Sequence, residues 1–124
     1  MPHTNAFLDI VNDAKTRIQE TNVAQTQAWI DQGETFRLVD TREDREWIQG
    51  HLPNAIHLSK GVIERDVLSA IPNKNDKIVL YCGGGYRSAL AADNLQKMGY
   101  TNVWSMDGGV RGWVEANLPM VTDA

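Results

Sequence analysis

The chain has no second cysteine. Cys82 is alone, which excludes an internal disulfide and any metal site built from cysteines only. His3, His51 and His57 are scattered and lack the spacing of a zinc site. No apolar run approaches the roughly 20 residues needed to cross a bilayer. The segment from Met1 to Lys15 has neither a basic start nor a sustained apolar stretch, so no signal peptide is read there. Lysine and arginine form no cluster and the net charge is -4, so a nucleic-acid backbone would meet no basic patch. These absences predict a protein that works without nucleic acid, membrane, metal or cofactor, in the cytoplasm, where a lone thiol stays reduced. A small anionic substrate remains compatible with the charge, because local fields decide binding in a pocket. The 124 residues suit one compact domain, with no repeat, linker or low-complexity stretch.

Strand and helix patterns alternate along the chain. Phe7, Ile10, Val11, Ala14 and Ile18 recur at helical spacing and predict an amphipathic N-terminal helix. Val23-Ala24 reads as the start of a short strand, Thr26 to Gln32 as a helix, and Phe36 to Val39 as a strand ending at Asp40. Glu43 to Gln49 reads as a helix, Ala55 to Leu58 as a strand, and Val62 to Ile71 as a helix closed by Pro72. Lys77 to Tyr81 is continuously apolar after its lysine, the mark of a parallel strand buried on both faces. Ser88 to Met98 predicts a helix, Asn102 to Met106 a strand, Asp107-Gly108-Gly109 a turn, and Val110 to Ala116 a last helix. The pattern implies an α/β fold with a mainly parallel sheet. In such a sheet ligands sit beyond the carboxyl ends of the strands, where Asp40 and Cys82 would both face.

Cys82-Gly83-Gly84-Gly85-Tyr86-Arg87-Ser88 lies between the apolar strand and the next helix. Glycines let successive backbone N–H groups converge, and a helix N-terminus adds its dipole at the same spot. The result is an anion cradle with Cys82 at its rim, where a thiol should ionise below its free value of about 8.5. A bulky residue at Gly84 should spoil that convergence. Arg87 could bind a substrate oxyanion or turn inward to pair with an acid such as Asp40. Taken singly, a lone cysteine is inert core and a glycine run is a turn; it is their conjunction that points to chemistry. Sulfurtransferases and phosphatases both use such cradles.

The remaining candidates have plainer readings. Trp29, Trp47, Trp104 and Trp113 read as core. His51 reads as a turn-ordering residue. Arg42 and Glu46 have the i,i+4 spacing of a helix-surface ion pair. Asp40, a carboxylate ending a buried strand, needs partners, with structural support as its first role and general acid as its second.

Four stretches, in order, resemble the rhodanese family. They are Leu38-Val39-Asp40-Thr41-Arg42; Glu46 through Ala55, with Gly50-His51-Leu52-Pro53 at its centre; the Tyr81 to Ser88 loop; and Asp107-Gly108-Gly109 followed by Gly112-Trp113. The likeness runs from about Thr21 to Pro119, which divides the chain into an N-terminal helical extension, 1–20, and a rhodanese-like domain, 21–120. It implies a central, mainly parallel five-stranded sheet with helices on both faces. It also implies a sulfurtransferase in which Cys82 takes a sulfane sulfur from thiosulfate or another persulfide donor and passes it to cyanide or a thiol. Gly83, Gly84, Gly85, Tyr86, Arg87 and Ser88 would bind substrate, with Asp40 and Arg42 in support. Some family members carry a basic residue inside the loop. Here Arg87 is the loop's only charge, which points to weak thiosulfate binding and to a protein or small-molecule persulfide as donor. A cysteine phosphatase or arsenate reductase on the same scaffold, and a sulfur-carrier or regulatory module without turnover, are the competing readings. Four residues separate Cys82 from Arg87, one fewer than in related phosphatases.

Overall fold

The computed structural model describes residues 3–123. Five strands form one parallel sheet: β1 (Gln19–Asn22), β2 (Arg37–Asp40), β3 (Ile56–His57), β4 (Ile78–Tyr81) and β5 (Val103–Asp107), in the spatial order β1-β5-β4-β2-β3. The helices are α1 (Asn5–Lys15), α2 (Val23–Asp31), α3 (Asp44–Gln49), α4 (Ile63–Ala70), α5 (Tyr86–Lys97) and α6 (Gly109–Glu115). The five-stranded sheet covered by helices is the architecture the sequence implied.

β4 is buried at all four positions, and its side chains alternate between two cores. Ile78 and Leu80 join Val39, Val67, Leu95 and Val103 in one cluster. Val79 and Tyr81 join Leu38, Met106 and Trp113 in the other. The sheet therefore has an apolar layer on each side, and no helix among the described residues is long and apolar enough to cross a membrane.

Three boundaries shift by two or more residues from the sequence reading. The first strand is Gln19–Asn22, not a segment starting at Val23. It is polar and lies at the sheet edge, where only Thr21 is buried, so it carries little hydrophobic signal. Val23 instead begins α2, whose first turn is capped by the Asn22 side chain accepting from the Gln25 N–H at 2.8 Å. α5 starts at Tyr86 rather than Ser88, so Tyr86 and Arg87 belong to its first turn.

From β2 the chain moves outward to β3, and from β4 it moves the other way to β5. The order therefore reverses between β2 and β4, which opens a crevice at their carboxyl ends. The loop after β4 begins with Cys82, and α3 follows β2, so both meet at that crevice.

Candidate active site

Cys82 is 1% exposed at the floor of a pocket of about 390 Å³ lined by loop residues, by α1 and by α6. The loop is held from behind. The Cys82 and Gly83 carbonyls accept from the Val110 and Arg111 N–H groups at 2.9 and 3.0 Å. The Gly85 N–H donates to Cys82 Sγ at 3.1 Å, and the Ser88 hydroxyl lies 3.5 Å from the same sulfur. Ser88 Oγ is in turn 2.8 Å from Ser105 Oγ on β5, both buried. One sulfur atom thus has an amide and a hydroxyl beside it, and the hydroxyl is oriented by a second one.

The three loop glycines are not equivalent, as the sequence reading took them to be. Gly85 has φ +104° and its missing side chain would press on Asp107 at 3.2 Å. Gly84 has an ordinary φ and open space around it, so a side chain there would enter the pocket without disturbing the loop backbone. The tightest position lies outside the loop: a Cβ on Gly109 would collide with the Cys82 and Gly83 backbone.

Arg87 pairs with Glu46, not Asp40. Its two terminal nitrogens donate to the two Glu46 oxygens at 2.7 and 3.0 Å, spanning the crevice from α5 to α3. The Arg87 guanidinium is held in the charged state first by this hydrogen-bonded pair, with burial opposing it. Glu46 is held below the usual carboxylate range by the same bonds, against the opposing effect of burial. The expected Arg42–Glu46 helix pair is therefore absent. Arg42 sits before α3 begins, so i,i+4 spacing places it on no helical face.

Asp40 is fully buried and receives the Arg42 guanidinium through Nε at 3.0 Å and Nη2 at 2.7 Å, plus the Arg42 backbone N–H at 2.8 Å. Arg42 also donates to the Gly50 carbonyl at 2.6 Å. This pair flanks the site and lines no part of the Cys82 pocket. It ties the end of β2 to the end of α3, and removing one partner of so buried a pair costs about 3–5 kcal/mol.

Trp113 lies in the core, with Trp29 and Trp104 packed against it as partly buried neighbours. Trp47 departs from its core reading. It is half-buried and stacks on His51 at 3.6 Å and on His57 at 4.9 Å, its indole N–H donating to Asp123. His51 orders its turn, its Nδ1 lying 2.9 Å from the Leu52 carbonyl, and it also meets Asp123 through Nε2 at 2.7 Å.

Four contributors escaped the sequence reading: Ser105, Arg111, and the pair His3 and Phe7, which line the pocket from α1 and the residues before it. The one signal available was for Arg111, a charge two residues after the Asp107-Gly108-Gly109 turn. Among the described residues no cluster of His, Cys, Asp and Glu could hold a metal ion.

The rhodanese-like domain family model matches residues 22–116. A sulfurtransferase of Allochromatium vinosum is 38% identical over 71% of this chain and 80% of its own. A Bacillus subtilis protein provisionally named a sulfur carrier is 30% identical over 77% of this chain, which spans only 51% of that protein's length. A Rhodopseudomonas palustris protein of unknown function, described as a possible tyrosine phosphatase, has a structure that superposes with TM-score 0.82 at 28% identity, covering 98% of this chain and 99% of its own. With the family model spanning most of the chain and a parallel sheet presenting Cys82 in its glycine loop, this protein belongs to the rhodanese-like domain family.

Proposed function

We propose that the protein is a cytoplasmic sulfurtransferase with Cys82 as its nucleophile and no cofactor. The carrying observation is the convergence of the Gly85 N–H and the Ser88 hydroxyl on the single sulfur of Cys82. The names of the Allochromatium and Bacillus relatives agree with sulfur transfer.

In the first half-reaction the Cys82 thiolate attacks the outer sulfur of thiosulfate. The S–S bond breaks, sulfite leaves with the electron pair, and a persulfide anion remains on Cys82. The loop amides and the α5 N-terminus stabilise that anion as they stabilised the thiolate. Arg87, held by Glu46, adds a fixed positive charge at the loop's end. In the second half-reaction cyanide or a thiolate attacks the outer sulfur and the Cys82 thiolate is restored. A protein or small-molecule persulfide would enter by the same first step. Asp40 and Arg42 support the site by holding the neighbouring strand end.

The phosphatase reading has its own support in the Rhodopseudomonas neighbour. The short loop argues against it, because a phosphoryl group needs several inward amides at once and a persulfide presents one terminal sulfur. The discriminating experiment incubates the protein with thiosulfate, follows intact mass and thiocyanate formation, and runs an aryl phosphate alongside. We expect one added sulfur, thiocyanate release, and loss of both in Cys82→Ser without loss of fold. Cys82-dependent phosphate release exceeding sulfur transfer would overturn the proposal in favour of the phosphatase.

A further inference from the structure

The pocket over Cys82 contains two arginines in different electrical situations. Arg87 gives both terminal nitrogens to Glu46. Arg111 reaches the same pocket from the first turn of α6, and among the described residues its exposed guanidinium has no carboxylate or hydrogen-bond partner. Its backbone is nonetheless rigidly placed, because its N–H donates to the Gly83 carbonyl at 3.0 Å. The pocket's uncommitted cation is therefore rooted one hydrogen bond from the residue after Cys82.

Three rings also line this pocket. His3 lies 5.1 Å from Phe7 and 4.8 Å from Tyr86, ring centre to ring centre, and Phe7 lies 6.1 Å from Tyr86. A bare thiosulfate ion has no use for such a wall. The pocket volume of about 390 Å³ falls in the range of roughly 300–1,000 Å³ that holds organic ligands.

We propose that Arg111 binds the anionic head of the sulfur donor and that the His3–Phe7–Tyr86 wall seats an apolar body, so that the preferred donor is an organic thiosulfonate-type anion rather than thiosulfate. The inference rests on the sulfurtransferase reading above. The Cys82 thiolate attacks the outer sulfur of the thiosulfonate, the S–S bond breaks, and the sulfinate leaves with the electron pair. One negative charge stays on the persulfide and one leaves on the sulfinate. Arg111 faces the oxygens of the head in both states, and the rings face its hydrocarbon.

The test compares thiosulfate with benzenethiosulfonate as donors, at saturating cyanide, in the native protein, Arg111→Ala, Arg111→Lys and Phe7→Ala. A charge-assisted contact predicts a rise in donor KM of about tenfold to a hundredfold in Arg111→Ala for both donors, partly restored in Arg111→Lys. Loss of wall area predicts a fall of about tenfold in the ratio of kcat/KM for the aryl donor over thiosulfate in Phe7→Ala. An unchanged KM in Arg111→Ala, or an unchanged ratio in Phe7→Ala, overturns the proposal. Loading of Cys82 by a hydropolysulfide, read by intact mass, separates the two failures. Normal loading with no Arg111 or Phe7 effect rejects this inference alone, and no loading from any donor rejects the sulfurtransferase reading beneath it.

Discussion

Glu46 decides how the charge of Arg87 is held. Its two oxygens receive both ends of the guanidinium fork, and the pair bridges the elements that follow β2 and β4. Because the folded-state pKa of Glu46 is lowered by Arg87, its contribution to stability is complete above the ordinary glutamate range and is lost as pH falls through the lowered value. Glu46→Gln should therefore cost about 1 kcal/mol near neutrality. The gap from the native protein should close in acid, below about pH 4. Urea unfolding at several pH values measures it, and a gap that persists undiminished in acid would contradict the assignment. Asp40 is charge-paired too, but with Arg42 two residues on in sequence. The sequence indicated that Asp40 needs a partner and offered the loop or Arg87 rather than Arg42, because the side chain that reaches it depends on which way the chain turns after β2.

At the scale of elements, the loop after β4 and the start of α6 form one unit. The α6 amides hold the loop carbonyls, and this close approach requires glycine at 109. Gly85 needs its positive φ to turn the chain into α5. Gly109→Ala and Gly85→Val should each destabilise the fold by about 2 kcal/mol or more, whereas Gly84→Ala should fold as the native protein does. Thermal unfolding of the three variants checks the ranking, and equal effects at 84 and 85 would disprove it. The run of glycines was plain in the sequence, but their unequal demands were not, since φ and close approach arise only once α6 docks. β1 was misplaced for a different reason. An edge strand of sequence Gln-Glu-Thr-Asn buries one side chain, and its pairing with β5 comes from a partner more than 80 residues away.

Across the whole molecule, α1 is the element that joins the outer layer to the pocket. Val11 and Ala14 are buried. Arg17, just past the helix, donates to both oxygens of Asp93 on α5 at 3.0 and 2.8 Å. Phe7 leans on Tyr86 at the pocket's edge. Val11→Ala should lower stability by about 2 kcal/mol. In native-state hydrogen exchange the α1 amides should open before those of β4, the most buried strand. If α1 and β4 exchange together in Val11→Ala, the helix is not a separately opening layer.

The sequence alone determined the α/β alternation, the buried β4, the glycine loop bearing Cys82 and the family resemblance. All of these rest on local pattern: periodicity, glycine spacing and short motifs in a set order. The tertiary structure decided what distance along the chain conceals. It paired Arg87 with Glu46 from 41 residues away, set Ser105 behind Ser88, and brought His3, Phe7 and Arg111 around one thiol. Contacts between residues so far apart depend on how whole elements pack, and hydrophobic periodicity specifies which face is buried without naming the side chain that will lie opposite.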